Sequence, residues 1–105
     1  MAKTTPMKYL PDYLCATFAL DNATIYCYWK GGDERTWLVF YLDDADDPEI
    51  PEDEYRFLVS LEFDNVVKNH KEAKALAEKT WIDHKEQILS TDVGRLYVVG
   101  NGLVK

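Results

Sequence analysis

The stretch YRFLVSLEF, residues 55–63, satisfies two periodicities, and the choice between them decides the fold. As a strand it sets Tyr55, Phe57, Val59, Leu61 and Phe63 on one face against Arg56, Leu58, Ser60 and Glu62. As a helix it would follow a proline and the carboxylates of Pro51-Glu52-Asp53-Glu54, which suit a first turn. We read it as a strand, the fourth of the chain.

Working upstream, TWLVFYL (36–42) is β-branched and aromatic enough for a strand, and TIYCYWK (24–30) alternates Ile25, Cys27 and Trp29 with Tyr26 and Tyr28. YLCATFAL (13–20) sets Leu14, Ala16, Phe18 and Leu20 on one face, and Asp21-Asn22 supplies turn chemistry. Downstream, Asn69-His70-Lys71-Glu72 has an N-x-x-E form related to a capping box. Ala73, Leu76, Ala77, Trp81 and Ile88 then recur at helical spacing, which predicts a helix over 70–89. RLYVV (95–99) reads as a last strand before a Gly100-Asn101-Gly102 turn. The expected fold class is α+β: a mostly antiparallel sheet of about five strands, in sequence order β-β-β-β-α-β, packed against one long helix.

The length of 105 residues implies a single domain, 1–105, and 47% hydrophobic residues are enough to fold it despite its charge. The net charge of −7 is uneven, because DDADDPEIPEDE (43–54) holds eight carboxylates and no Lys or Arg, leaving the remainder at +1. Such local acidity argues against general solubility as its only purpose. Pro48 and Pro51 oppose regular structure there, so 43–54 is expected to be an acidic loop. The first residues lack the apolar run of a secretory signal, and no window approaches a membrane span, which predicts a cytoplasmic protein.

Catalytic and cofactor chemistries find little support. As an EF-hand, 43–54 fails at its third and sixth positions, Ala45 and Pro48, where a ligand and a glycine are required. His70 and His84 lie fourteen residues apart on one helix, about 21 Å by the rise per residue, too far to share a metal or a proton. No nucleophile elbow surrounds Ser60, Ser90, Cys15 or Cys27, and Gly31-Gly32 precedes two carboxylates that would repel a phosphate. Cys15 and Cys27 are expected as free thiols. A hairpin pairing Thr17 with Cys27 would leave Cys15 diagonal to it, at the outer limit of bridging. Neither a metal nor a cofactor is expected, nor enzymatic activity. The carboxylate excess also disfavours direct nucleic-acid binding, since the lysines between Lys68 and Lys85 are interleaved with Glu72, Glu78 and Asp83.

One helix covers one sheet face, so the other should present aromatic side chains: Tyr26, Tyr28, Trp37 and Tyr41. That face needs a cover, whether residues 7–14, a second copy or another protein. Carboxylates beside exposed aromatics supply long-range attraction and short-range anchoring for a basic partner protein. In size, acidity and layout the chain resembles immunity proteins that block toxic nucleases and phage inhibitors of restriction or CRISPR enzymes, some of which imitate DNA charge. No motif is matched residue by residue. The expectation is a small non-catalytic binding protein whose Asp43, Asp44, Asp46, Asp47, Glu49, Glu52, Asp53 and Glu54 engage a nucleic-acid-handling enzyme, with Ile50 as an apolar anchor. Two alternatives are a homo-oligomeric structural or accessory protein, a homodimer for instance, joined through the aromatic face, and a small-ligand carrier or enzyme built on pocket carboxylates.

Overall fold

Residues 54–63 form a strand, and the rest of the fold is arranged around it. The computed structural model describes residues 4–11, 13–44, 46–64, 66–90, 94–99 and 102–104. Its strands are β1 (Thr4–Pro6), β2 (Tyr13–Ala19), β3 (Thr24–Gly31), β4 (Thr36–Asp43), β5 (Glu54–Phe63), β6 (Arg95–Val99) and β7 (Gly102–Val104), with helix α1 (His70–Ser90) between β5 and β6. The sheet order is β2-β3-β4-β5-β6-β7. The edge of β5 away from β4 is shared: β1 pairs antiparallel with Glu54, Tyr55 and Arg56, and β6 pairs parallel with residues 60–63. Parallel neighbours need a crossover, which α1 supplies. The fold is therefore the expected α+β architecture, a mostly antiparallel sheet against one helix. It has two short strands more than the five expected, β1 and β7, each of three residues and too brief to show periodicity. Gly102 opens β7 rather than closing a turn, while Gly100, Asn101, Thr91 and Asp92 lie outside the described residues.

Alternation fails at two bulges, and each moves side chains between faces. In β5 the register steps from Phe40–Val59 to Tyr41–Phe57, leaving Leu58 as the extra residue. Val59, Leu61 and Phe63 face the core, while Tyr55 and Phe57 lie with Tyr26 and Tyr41 on the opposite side. The five residues expected on one face are thus split two and three, because an extra residue inverts the pleat beyond it. In β2 the shift falls between Leu14 and Ala16. Cys15 and Ala16 are both buried against the core and Leu14 is turned outward, against the expected Leu14-Ala16-Phe18 face. The hairpin closes with Leu20 N–H donating to the Ala23 carbonyl, and Thr17 pairs with Tyr26 instead of Cys27.

α1 starts as its sequence predicts. The Asn69 Oδ1 accepts from Glu72 N–H at 2.9 Å, and Glu72 reaches back to Lys68 N–H at 2.8 Å. Ala73, Ala77, Thr80, Trp81 and Ile88 are its buried residues, and Leu76 is half-buried. The small alanines let the first turns approach the sheet, and Trp81 then stacks on Phe18 at 4.8 Å and on Phe40 at 6.4 Å. The helix is not straight, since His84 has non-helical angles of φ −132° and ψ 21°. It is not apolar enough to cross a membrane.

The turn from β5 into α1 hangs on a buried hydroxyl. Thr36, fully buried at the start of β4, accepts from Val67 N–H at 2.8 Å. Thr36→Val keeps the shape but leaves that donor without its acceptor, so a loss of about 1–3 kcal/mol is expected in urea unfolding. Thr36→Ser should keep most of the stability, separating the hydrogen bond from the packing. On the return to the sheet, Gly94 adopts φ +84° while its carbonyl accepts from Ser60 N–H at 2.8 Å, a left-handed backbone that favours glycine.

Candidate protein-binding surface

The acidic stretch extends from the end of β4 to the first residue of β5 as a chain of turns closed by its own backbone. Asp47 N–H donates to the Asp44 carbonyl, Ile50 N–H to Asp47 and Glu54 N–H to Pro51, and Met7 N–H beyond β1 bonds the Asp53 carbonyl at 3.0 Å. Two carboxylates brace these turns, Asp44 accepting from Asp46 N–H at 3.0 Å and Asp47 from Glu49 N–H at 2.9 Å. Aspartate favours such turns because its short side chain reaches the backbone two residues on. Glu54 is occupied differently, accepting from the Thr4 hydroxyl at 2.6 Å and so fastening β1.

That leaves Asp46, Glu49, Glu52 and Asp53 exposed, with Asp43 half-exposed where β4 ends beside Thr24. Among the described residues a single carboxylate of the eight has a cationic partner, Asp47, whose Oδ2 stands 4.0 Å from Arg56. Ile50 is half-buried between the two prolines. No group of three His, Cys, Asp or Glu among the described residues is placed to hold a metal ion.

The aromatic residues fall into two groups on the face opposite α1. Tyr26 stacks flat on Tyr55, with centroids 4.7 Å apart and planes at 4°, at the end of the sheet where Asp43 and Glu54 enter the loop. Tyr28 and Phe57 both meet Tyr41 edge-on, and Tyr41 retains only 6% exposure, so it supports this layer from beneath. Trp37 belongs to the far end, six residues or about 20 Å along β4 from Asp43. Its indole N–H donates to Glu62 Oε1 at 2.8 Å, while Arg35 holds Oε2 at 2.9 Å. The structure therefore sets Tyr26 beside the loop and Trp37 at the far end, with Tyr28 between them. It also adds Tyr55, which strict alternation placed on the same face as Val59 and Leu61. The signal for that reversal, the Leu58 bulge, has no mark in the sequence.

Part of this face is covered by the chain itself. The segment after β1 brings Tyr9 and Pro11 over Trp37, Val39, Tyr41 and Phe57, enclosing a cleft of about 530 Å³. The carboxylate on its wall is Glu62, already paired with Trp37 and Arg35. Met7 and Tyr9 meanwhile expose apolar surface of their own.

Burial, and next the facing Tyr26, push the Tyr55 phenol up to about 12. Tyr28 and Tyr41 are raised by the same cause, burial first. A phenol raised in the folded state adds stability that is complete below its unfolded value near 10 and is lost as pH rises through the folded value. The denaturant midpoint is thus expected to fall as pH climbs from about 10 towards 12. Tyr55→Phe should flatten that fall, as read from urea curves across the range. Comparison with protein-family models, with curated proteins and with solved structures returns no match to this chain.

Proposed function

We propose that the protein is a non-catalytic binding protein that docks its acidic loop onto a cationic cleft of a nucleic-acid-processing enzyme and inhibits it. The observation that carries this reading is a run of eight carboxylates, one of them paired with a cation among the described residues, held on a chain of turns that its own hydrogen bonds define. Uncompensated surface charge raises the free energy of the folded chain through self-repulsion, and a cationic partner would relieve it. A loop already closed by turns loses little entropy on docking. Tyr26 and Tyr55 at the base of the loop supply aromatic surface of the kind that dominates interface energetics. The carboxylates would take the place of nucleic-acid phosphates, as they do in those immunity, anti-restriction and anti-CRISPR inhibitors that imitate DNA charge.

The test is capture of partners by the immobilised protein, followed by elution with duplex DNA or with salt. The expected partner is a nuclease or other nucleic-acid enzyme that DNA displaces and whose activity the protein suppresses. A partner that DNA leaves in place, or one with no affinity for nucleic acid, would overturn the proposal.

A further inference from the structure

The β2 bulge does more than turn Leu14 outward. With Ala16 opposite Cys27 and Cys15 as the inserted residue, two positions of β2 face one of β3. A bulge re-aims its side chains, and this one points the Cys15 thiol at Cys27 instead of leaving it on a diagonal. The sulfurs are 3.8 Å apart, and Cys15 Sγ also donates to the Cys27 carbonyl at 3.3 Å. Both are free thiols in the core. Buried cysteines usually act as small inert hydrophobes, and a lone one would be read so here. Two features set this pair apart. Its sulfurs are in contact, a short side-chain rotation from the bonding distance of about 2 Å. Cys15 also forms part of the wall of a cleft of about 400 Å³ between β2 and α1, with Leu14, Ala16, Thr17, His70, Lys74 and Glu78.

We propose that Cys15 and Cys27 are a reactive dithiol that converts reversibly to a disulfide by exchange with a low-molecular-weight disulfide entering the cleft between β2 and α1. The two positions differ in role. Cys15 borders the cleft beside Lys74 and His70, whose ring Nε2 lies 3.1 Å from the Leu14 carbonyl. The hydrogen bond between the two thiols holds Cys15 below its ordinary value against the effect of burial, whereas burial drives Cys27 well above. Cys15 is the attacking sulfur and Cys27 the resolving one.

In the first step the Cys15 thiolate bonds to one sulfur of the small disulfide, whose S–S bond breaks and whose second half leaves as a thiolate that takes up a proton. In the second, Cys27 gives up its proton and attacks the Cys15 sulfur, expelling the other half. Two protein thiols are oxidised to one disulfide while the small disulfide is reduced to two thiols. The product staples β2 to β3 at the bulge, in the wall of the cleft.

The folded, reduced protein is exposed to oxidised glutathione, quenched with acid, alkylated under denaturing conditions and mapped by mass spectrometry. Loss of both thiols together, with Cys15 and Cys27 in one linked peptide pair and recovery on adding dithiothreitol, is the expected result. Cys27→Ser should trap glutathione on Cys15 at least about tenfold faster than Cys15→Ser traps it on Cys27. Because either substitution falls in the core, the wild-type chain is also titrated with phenylarsine oxide. Its arsenic takes two thiols and releases water only where both sulfurs lie in reach. One arsenical per chain, blocking both cysteines, is expected. Two cysteines that stay alkylatable after glutathione disulfide, or a disulfide that forms only between molecules, would overturn the proposal.

Discussion

Neutralising Asp46, Glu49, Glu52 and Asp53 together, as Asn and Gln, should lower affinity for the captured enzyme by about 10²–10³-fold while leaving the fold intact. These four are the exposed carboxylates that brace no turn of the loop, so the variant removes charge and keeps the loop's shape. A close charge pair at an interface is worth roughly 1 kcal/mol or more, and four such losses reach that range. Exposed substitutions away from caps and cores usually move stability by less than about 0.5 kcal/mol each. The unfolding midpoint should therefore hold or rise slightly, as four like charges no longer repel. Most of the affinity loss at low salt should appear as slower association, because charge steers encounter. Asp44→Ala and Asp47→Ala form the contrasting pair. They release the Asp46 and Glu49 amides, so they should loosen the loop and reduce affinity even though fewer charges are removed. If the fourfold variant binds as tightly as the natural chain, the acidic loop is not the docking surface.

The second large effect lies in the core. Phe40 is fully buried in the central strand β4, paired with Cys27 on one side and Val59 on the other, and its ring is roughly parallel to Trp81 of α1. It therefore joins the sheet to its one helix. Phe40→Ala removes apolar surface and leaves a cavity that strands on both sides prevent from collapsing, which costs about 3–5 kcal/mol. Domains of this size have a total of about 5–15 kcal/mol, so the melting temperature should drop by roughly 15–30 °C or the chain should fail to fold. Phe57→Ala, half-buried on the opposite face, should cost clearly less. Equal losses for the two, measured by urea and thermal unfolding, would mean that the core does not centre on the β4–α1 contact.

Much of this was readable in the sequence because the forces responsible are local. Period-two alternation in 24–30 and 36–42 places Ile25, Cys27, Leu38 and Phe40 in the core, where each is fully buried. The capping pattern at Asn69 and Glu72 and the stripe through Ala73, Ala77, Trp81 and Ile88 give α1 its start and its buried side. The acidic loop and its two prolines needed only composition. Short strands were not readable: Thr4–Pro6 and Gly102–Val104 exist because β5 and β6 offer them free edges, and three residues carry no period of their own.

What the sequence by itself determined is the class of the fold, the helix, and the place of the charge, since each follows from side chains acting over a few residues. The tertiary structure alone decided the faces. An extra residue at Leu58 sends Tyr55 and Phe57 to the side of Tyr26, and one at Cys15 brings two thiols into contact. A bulge arises where two strands, each with its own twist and packing, must share one ladder of hydrogen bonds, and that constraint is written in neither strand alone.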